Sequence, residues 1–240
     1  MLYLHEILTI VPWTEEEFWE LIEMDYIPQA EQNGLRLVGL FKVGIQYSQN
    51  YALWEVDDWA ALDRIQEFHD KDPWMKTWKL ESIRYRTDWT SRVLEPAPFS
   101  PTLAQIKEGD YKSTFYLHCL ARVFPGKADE YINAIEKEMI PMAKSWGMKL
   151  VGCYQTVAGE ADSNEVIQIW TAGDVNAHWG AIRQAAQKDP ELKKWEARAG
   201  EWRPEVTYRF LLGLVPFSPL RMKDEFLQAM QLMRRKEHAQ

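Results

Sequence analysis

The sequence predicts an α+β protein in which one βαββαβ unit is used twice, its two antiparallel sheets packed face to face as a closed barrel within one chain. Three observations predict it: the chain matches itself at a nearly constant spacing, strand-type and helix-type hydrophobic patterns recur in the same order in both halves, and the first strand is apolar on both faces. The 240 residues are 46% hydrophobic and 27% charged, which excludes a disordered or collagenous chain and suits one large domain or two small ones.

The self-match has a spacing of 113: Tyr3-Leu4-His5 returns as Tyr116-Leu117-His118, Pro12 as Pro125, Ile27-Pro28 as Ile140-Pro141, Gly34 as Gly147 and Leu37-Val38-Gly39 as Leu150-Val151-Gly152. The spacing grows to 116 at Trp54 and Trp170, to 117 at Asp72-Pro73 and Asp189-Pro190, and to 118 at Pro98 and Pro216. The main step falls between Gly152 and Trp170, where residues 158–164 read as a turn, and insertions belong in turns. Residues 1–101 are the first module, 102–112 a linker, 113–219 the second module, and 220–240 an amphipathic C-terminal helix carrying Phe226, Leu227, Met230 and Met233 on one side.

Within a module the elements follow in order. Residues 2–11 are a buried strand ending at Pro12. Thr14 with Glu17 predicts a capping box, and Phe18, Leu21, Ile22 and Ile27 recur at helical spacing up to Gly34. Pro28, and Pro141 in the second copy, lie inside this helix and should kink or divide it, because proline removes a backbone donor. Strands at 35–43 and 51–56 form a hairpin; Asp57 or Asp58 opens a helix, Asp72-Pro73 a second, and residues 82–94 return as the last strand. This order, with right-handed crossovers, is a ferredoxin-like sheet with strand order 4-1-3-2 and helices on one face. One parity of the apolar side chains that include Leu2, Leu4, Leu8 and Ile10 needs a cover, and the other module's sheet supplies it. Cys119 and Cys153 then lie on strands separated by a third, beyond disulfide reach, and should be free thiols.

The pattern resembles the NIPSNAP-like branch of the dimeric α/β barrel superfamily, in tandem form. The resemblance rests on Tyr3-Leu4-His5-Glu6, Pro12, Gly34 before Leu37-Val38-Gly39, Leu53-Trp54, Asp72-Pro73 and Pro98-Phe99-Ser100-Pro101, with their second-copy equivalents. It implies the barrel fold and a pocket inside each module between sheet and helices. It does not select an activity, since the superfamily holds monooxygenases, isomerases, lyases and haem enzymes.

Twenty-eight basic against 36 acidic residues leave a net charge of −8, which disfavours a nucleic acid partner. The apolar runs are too short to span a bilayer and no secretory leader is visible, so the reading is cytoplasmic with no membrane partner. The tail helix is expected to dock over a pocket or at a contact between copies in a homo-oligomer. No metal-ligand spacing, phosphate loop or nucleophile elbow is present.

Four of the five histidines fall in one pattern: each module has one on its first strand, His5 or His118, and one on the helix after its third strand, His69 or His178. A strand histidine and a helix histidine converging on one pocket would suit general acid and base catalysis. Against this stands the plain alternative of hydrogen-bonded core histidines. Glu55, or Glu6, is the alternative base, since burial raises a carboxyl pKa. Trp54 and Trp170, with Tyr3, Tyr116 and Tyr154, read either as core or as the wall of an aromatic pocket. Gln168 and Arg122 add polarity to the second copy alone. The expected function is thus a cofactor-independent enzyme of lyase, isomerase or dehydratase type acting on a small apolar or aromatic molecule. The alternatives are a non-catalytic ligand-binding or interaction module, and a haem-binding protein or cofactor-free oxygenase; for haem, His118 or His178 would be the axial ligand.

Overall fold

The computed structural model describes residues 1–44, 48–159, 164–173, 189–226 and 228. The first module runs β1 (Leu2–Ile10), α1 (Glu15–Leu21), a π-turn (Ile22–Tyr26), α2 (Ile27–Gln32), β2 (Leu35–Val43), β3 (Gln49–Val56), α3 (Trp59–Lys71), α4 (Pro73–Ser82) and β4 (Arg86–Pro96). A short helix, α5 (Leu103–Glu108), lies in the linker and begins with a capping box between Thr102 and Gln105. The second module runs β5 (Phe115–Arg122), α6 (Ala128–Ala134), a π-turn (Ile135–Met139), α7 (Ile140–Ser145), β6 (Leu150–Gly159), β7 (Glu165–Gly173), α8 (Pro190–Ala199) and β8 (Glu205–Leu212).

The eight strands close into one antiparallel barrel in the order β1-β3-β2-β8-β5-β7-β6-β4. Each module contributes the predicted 4-1-3-2 sheet. The modules join edge to edge, β2 pairing with β8 and β4 with β6, so no strand edge is left to template aggregation.

Asp58 and Asp72 cap α3 and α4 by accepting from Ala61 N and Trp74 N, and Asp189 caps α8. Thr14 departs from its expected role: its hydroxyl donates back to the Val11 carbonyl, and no side-chain cap forms. The prolines divide the first helix of each module. Their missing N–H is absorbed by a five-residue π-turn, Ile22–Tyr26 or Ile135–Met139, directly before Ile27-Pro28 or Ile140-Pro141. Gly34 and Gly147 end these helices at φ 86° and 75°, a conformation that glycine adopts without strain.

Strand parity differs from expectation. Leu2, Leu4, Leu8 and Ile10 pack beneath the helices with Phe18, Trp54 and Trp78. The side chains turned into the barrel are instead Tyr3, His5 and Ile7, with Tyr51, Leu53, Tyr116, Tyr154 and Ile169. Alternation sends neighbouring residues to opposite faces, so a single misassigned face moves a whole strand's set of side chains. Cys119 and Cys153 are free and buried, as the strand order requires. No helix among the described residues is long and apolar enough to cross a membrane.

Candidate active site between the second sheet and its helices

The second module holds a cavity of about 530 Å³ between its sheet and helices. Its floor is Cys119 on β5, Gln168 and Trp170 on β7, and Val206 and Tyr208 on β8. Its walls are Tyr131 and Met139 from the divided helix, Trp195 and Glu196 from α8, and Arg203.

The same space in the first module is filled. Tyr26 packs at ring-centroid distances of 4.7 Å on Trp78, 5.6 Å on Trp54 and 5.9 Å on Trp89. The residue matching Tyr26, the last of the second π-turn, is Met139. The residue matching Trp89 is Val206: Trp89 lies opposite Leu8, and Val206 opposite Ala121, which is 113 residues beyond Leu8. Two large rings are thus replaced by a thioether chain and an isopropyl group, and this loss of side-chain volume opens the second module. Aromatic packing persists beside the opening, Tyr131 and Trp195 lying 6.2 Å apart and Trp195 and Trp202 6.0 Å.

Few polar groups face this apolar space, and most are paired. Gln168 accepts from the Trp170 indole at 3.2 Å and donates to the Tyr131 hydroxyl at 3.2 Å. Glu196 takes the Arg203 guanidinium at 2.7 Å and the Tyr208 hydroxyl at 3.3 Å. Burial pushes the Tyr131 and Tyr208 hydroxyls and the Cys119 thiol above their ordinary pKa values, so all three are protonated at neutral pH. Sequence reasoning reached Gln168 and Trp170 but missed Met139, Glu196, Arg203, Val206 and Tyr208. Comparison of the repeats at Tyr26/Met139 and Trp89/Val206 was the signal that would have found the opening.

The histidines do not converge as expected. His5 and His118 meet each other on the barrel axis, stacked with centroids 5.1 Å apart, and the Tyr51 ring meets each edge-on at 5.1 Å. Both are fully sequestered, and none of their ring nitrogens has a hydrogen-bond partner among the described residues. Burial, with Arg92 and Arg209 adding positive charge, holds His5 down at about 3; burial, then His5 and both arginines, lowers His118 well below its ordinary range. His69 lies on the opposite side of the sheet from His5, with Nε2 3.0 Å from the Tyr26 hydroxyl, and burial lowers it to about 4. His178 lies outside the described residues, as does most of the expected C-terminal helix. His118 fits no haem: its stacked and edge-packed ring leaves no axial approach.

The other candidate residues occupy different places. Tyr3, Tyr116 and Tyr154 line the barrel interior and Trp54 and Trp170 the helix faces, so they form no common wall. Glu55 is fully engaged, accepting from the Tyr3 hydroxyl at 3.0 Å, Leu103 N at 2.9 Å and Arg36 at 3.2 Å. Glu6 accepts from the Trp54 indole at 2.7 Å beneath the first module's helices. Arg122 is exposed at a barrel end in an ion pair with Glu205, away from the cavity. Among the described residues no cluster of His, Cys, Asp and Glu could hold a metal ion.

The NIPSNAP family model matches residues 122–219, nearly the whole second module. A candidate monooxygenase from Lactobacillus acidophilus NCFM superposes with a TM-score of 0.57 at 19% identity, covering 88% of this chain and 92% of its own. An anthrone oxidase-like protein superposes with a TM-score of 0.58 at 15% identity, covering 88% and 90%. A NIPSNAP family protein from Agrobacterium tumefaciens str. C58 shares 24% identity over 47% of this chain and 96% of its own, with a TM-score of 0.39. No curated protein matches the chain. The first two superpositions show a dimeric α/β barrel fold and leave its activity open.

Proposed function

Because the NIPSNAP family model matches the second module and the barrel scaffold fixes no chemistry, we propose from its cavity that this module binds a small apolar or aromatic molecule and acts on it by proton transfer. The observation that carries the reading is the exchange of Tyr26 and Trp89 for Met139 and Val206, which turns a filled interface into a cavity of about 530 Å³. Ligand sites are typically concave and mostly apolar with a few polar groups, at volumes of roughly 300–1,000 Å³.

Glu196 replaces the histidines as the proton-transfer group in this reading. It is the only carboxylate among the described residues lining the cavity, and the Tyr208 hydroxyl and Arg203 orient it. An elimination, isomerisation or dehydration needs a positioned base and acid and no resident cofactor. The first module, with its aromatic interior, serves as scaffold.

The test is a screen of small aromatic compounds by thermal shift, followed by turnover assays on the hits. Hits should stabilise the natural protein and lose their effect in Val206→Trp, which restores the ring found in the first module. Glu196→Gln should retain binding and lose turnover by about 10²-fold or more, the usual scale for acid and base groups. Binding without turnover by any hit would favour the non-catalytic reading. Hits indifferent to Val206→Trp would remove the cavity from consideration.

A further inference from the structure

We propose that one end of the barrel interior binds a small tetrahedral oxyanion, of the phosphate or sulfate class, between Arg92 and Arg209. This cleft lies on the inner face of the strands and the cavity of the second module on the outer face, so the two readings stand or fall separately.

The repeat places the two arginines. Arg92 faces His5 across β4 and β1, and Arg209 faces His118 across β8 and β5. Their separation of 117 residues is the spacing that also relates Asp72-Pro73 to Asp189-Pro190. Each module therefore brings one guanidinium to a cleft of about 160 Å³. Its floor is Ile7 and Leu120, themselves matched, one step outward on the same strand faces from the stacked histidines.

Neither guanidinium donates a hydrogen bond to a described residue. Arg92 Nε comes within 3.2 Å of Glu165 Oε2 without forming one, and it alone of the pair's nitrogens is cut off from solvent. Arg209 has no ion pair among the described residues either. An arginine presents its N–H groups as a planar fork that takes two acceptor oxygens of one anion. Two forks directed at one small space call for four such oxygens, the number a tetrahedral oxyanion carries and twice that of a carboxylate. The volume is below the roughly 300 Å³ at which ordinary ligand pockets begin, which suits a bare anion and excludes a nucleotide.

Charge favours the same ligand. Three arginines and two glutamates line the cleft. Glu165 lies beside Arg92, Glu205 is paired with Arg122 at 3.3 Å, and Arg209 is left uncompensated. The excess positive charge reaches the floor: after burial, Arg92 and Arg209 are what lower the pKa of His5. A cleft of one prevailing sign above an apolar floor concentrates its field on the ion it receives.

Isothermal titration calorimetry on the full chain, at an ionic strength held constant with chloride, compares phosphate, sulfate, acetate and glucose 6-phosphate. Phosphate and sulfate should bind one to one with a dissociation constant of about 1 mM or below, and acetate about tenfold more weakly. Arg209→Gln and Arg92→Gln should each weaken phosphate about tenfold, as loss of one charged fork implies, while Lys193→Gln in the other cavity leaves it unchanged. Arg92→Gln strands the buried Glu165; should that variant not fold, Arg209→Gln, which removes no protein contact, decides alone. No saturable binding of phosphate, or equal affinity in the natural protein and Arg209→Gln, would overturn the site. Acetate binding as tightly as phosphate would overturn the tetrahedral assignment, and glucose 6-phosphate doing so would overturn the restriction to a free ion.

Discussion

The indole N–H of Trp54 donates to the Glu6 carboxyl at 2.7 Å, whereas the matched indole of Trp170 donates to Gln168 at 3.2 Å. The two acceptors occupy opposite members of one cross-strand pair. Glu6 faces Ala52 across β1 and β3, while Cys119 faces Gln168 across β5 and β7. Each module buries a tryptophan that needs an acceptor, and each supplies it from a different strand. The choice shapes the floor: a long carboxyl from the central strand in the first module, and a small thiol beside an amide in the second.

Gln168→Ala should therefore destabilise the protein by about 1–3 kcal/mol, because the Trp170 indole N–H would stay buried without its acceptor. Adding Cys119→Glu to that variant recreates the first module's arrangement and should recover part of the loss at about pH 5, where the new carboxyl enters protonated. Urea denaturation of the single and double variants measures both effects. A double variant no more stable than Gln168→Ala would show that the acceptor positions are not interchangeable.

Glu6 predicts a pH dependence of defined sign. Burial pushes its carboxyl up to about 7, against hydrogen bonds from Trp54 and Trp89 and the nearby charge of Arg86, all of which lower it. The native protein then holds a proton that the unfolded chain releases near the ordinary value of 4.5. This contribution is fully present below that value and is lost as pH rises through about 7. Glu6→Gln keeps a neutral acceptor for Trp54 and removes the titration. It should match the natural protein at about pH 4 and exceed it by about 1–3 kcal/mol at about pH 8. Equal stability of the two at the higher pH would show that Glu6 enters the fold ionised without penalty.

Much of this was legible in the sequence and some was not, for identifiable reasons. The repeat, the strand order and the free cysteines follow from ordered matches such as Pro28/Pro141 and Asp72/Asp189, since insertions collect in turns and the unit must bury its faces. The face of β1 was misread because Leu2, Tyr3, Leu4 and His5 are all apolar or aromatic; a strand buried on both sides shows no alternation to orient it. That single ambiguity sent His5 and His118 to the wrong side of the sheet. Arg203 and Glu196 form no spacing motif, because a loop and a helix bring them together. The π-turns were likewise invisible, although the prolines marked their place.

Trp13 has φ 73° and is 93% exposed, while Gly126 holds the matched position in the second module at φ 76°. A left-handed conformation costs a bulky residue on the order of 1–3 kcal/mol, and glycine removes that strain while adding roughly 0.5–1 kcal/mol of backbone entropy to lose on folding. Trp13→Gly should therefore stabilise the protein by about 1 kcal/mol, with no buried contact sacrificed. A thermal melt that shows no gain would mean that the ring of Trp13 contributes as much as its backbone strain costs.

The stacked pair of His5 and His118 predicts acid sensitivity of the opposite sign to Glu6. Both imidazoles enter the barrel neutral, sequestered among Tyr51, Arg92 and Arg209 without hydrogen-bond partners among the described residues. In the unfolded chain each takes up a proton near 6.5, which the native His5 resists down to about 3. Stability is thus fully present above about pH 7 and falls as pH drops through 6.5 towards the native value, by up to about 1.4 kcal/mol per pH unit for each histidine. Between about pH 5 and pH 6.5 the gain from protonating Glu6 offsets about half of this loss, so the natural protein's stability should fall there at roughly the slope of a single histidine. His118→Leu keeps a buried side chain of similar size and removes one of the two imidazoles from the barrel. Its stability relative to the natural protein should rise by about 1–2 kcal/mol between about pH 7 and pH 5 in urea titrations. An unchanged difference across that range would mean that water or another partner reaches the rings and lets them titrate normally.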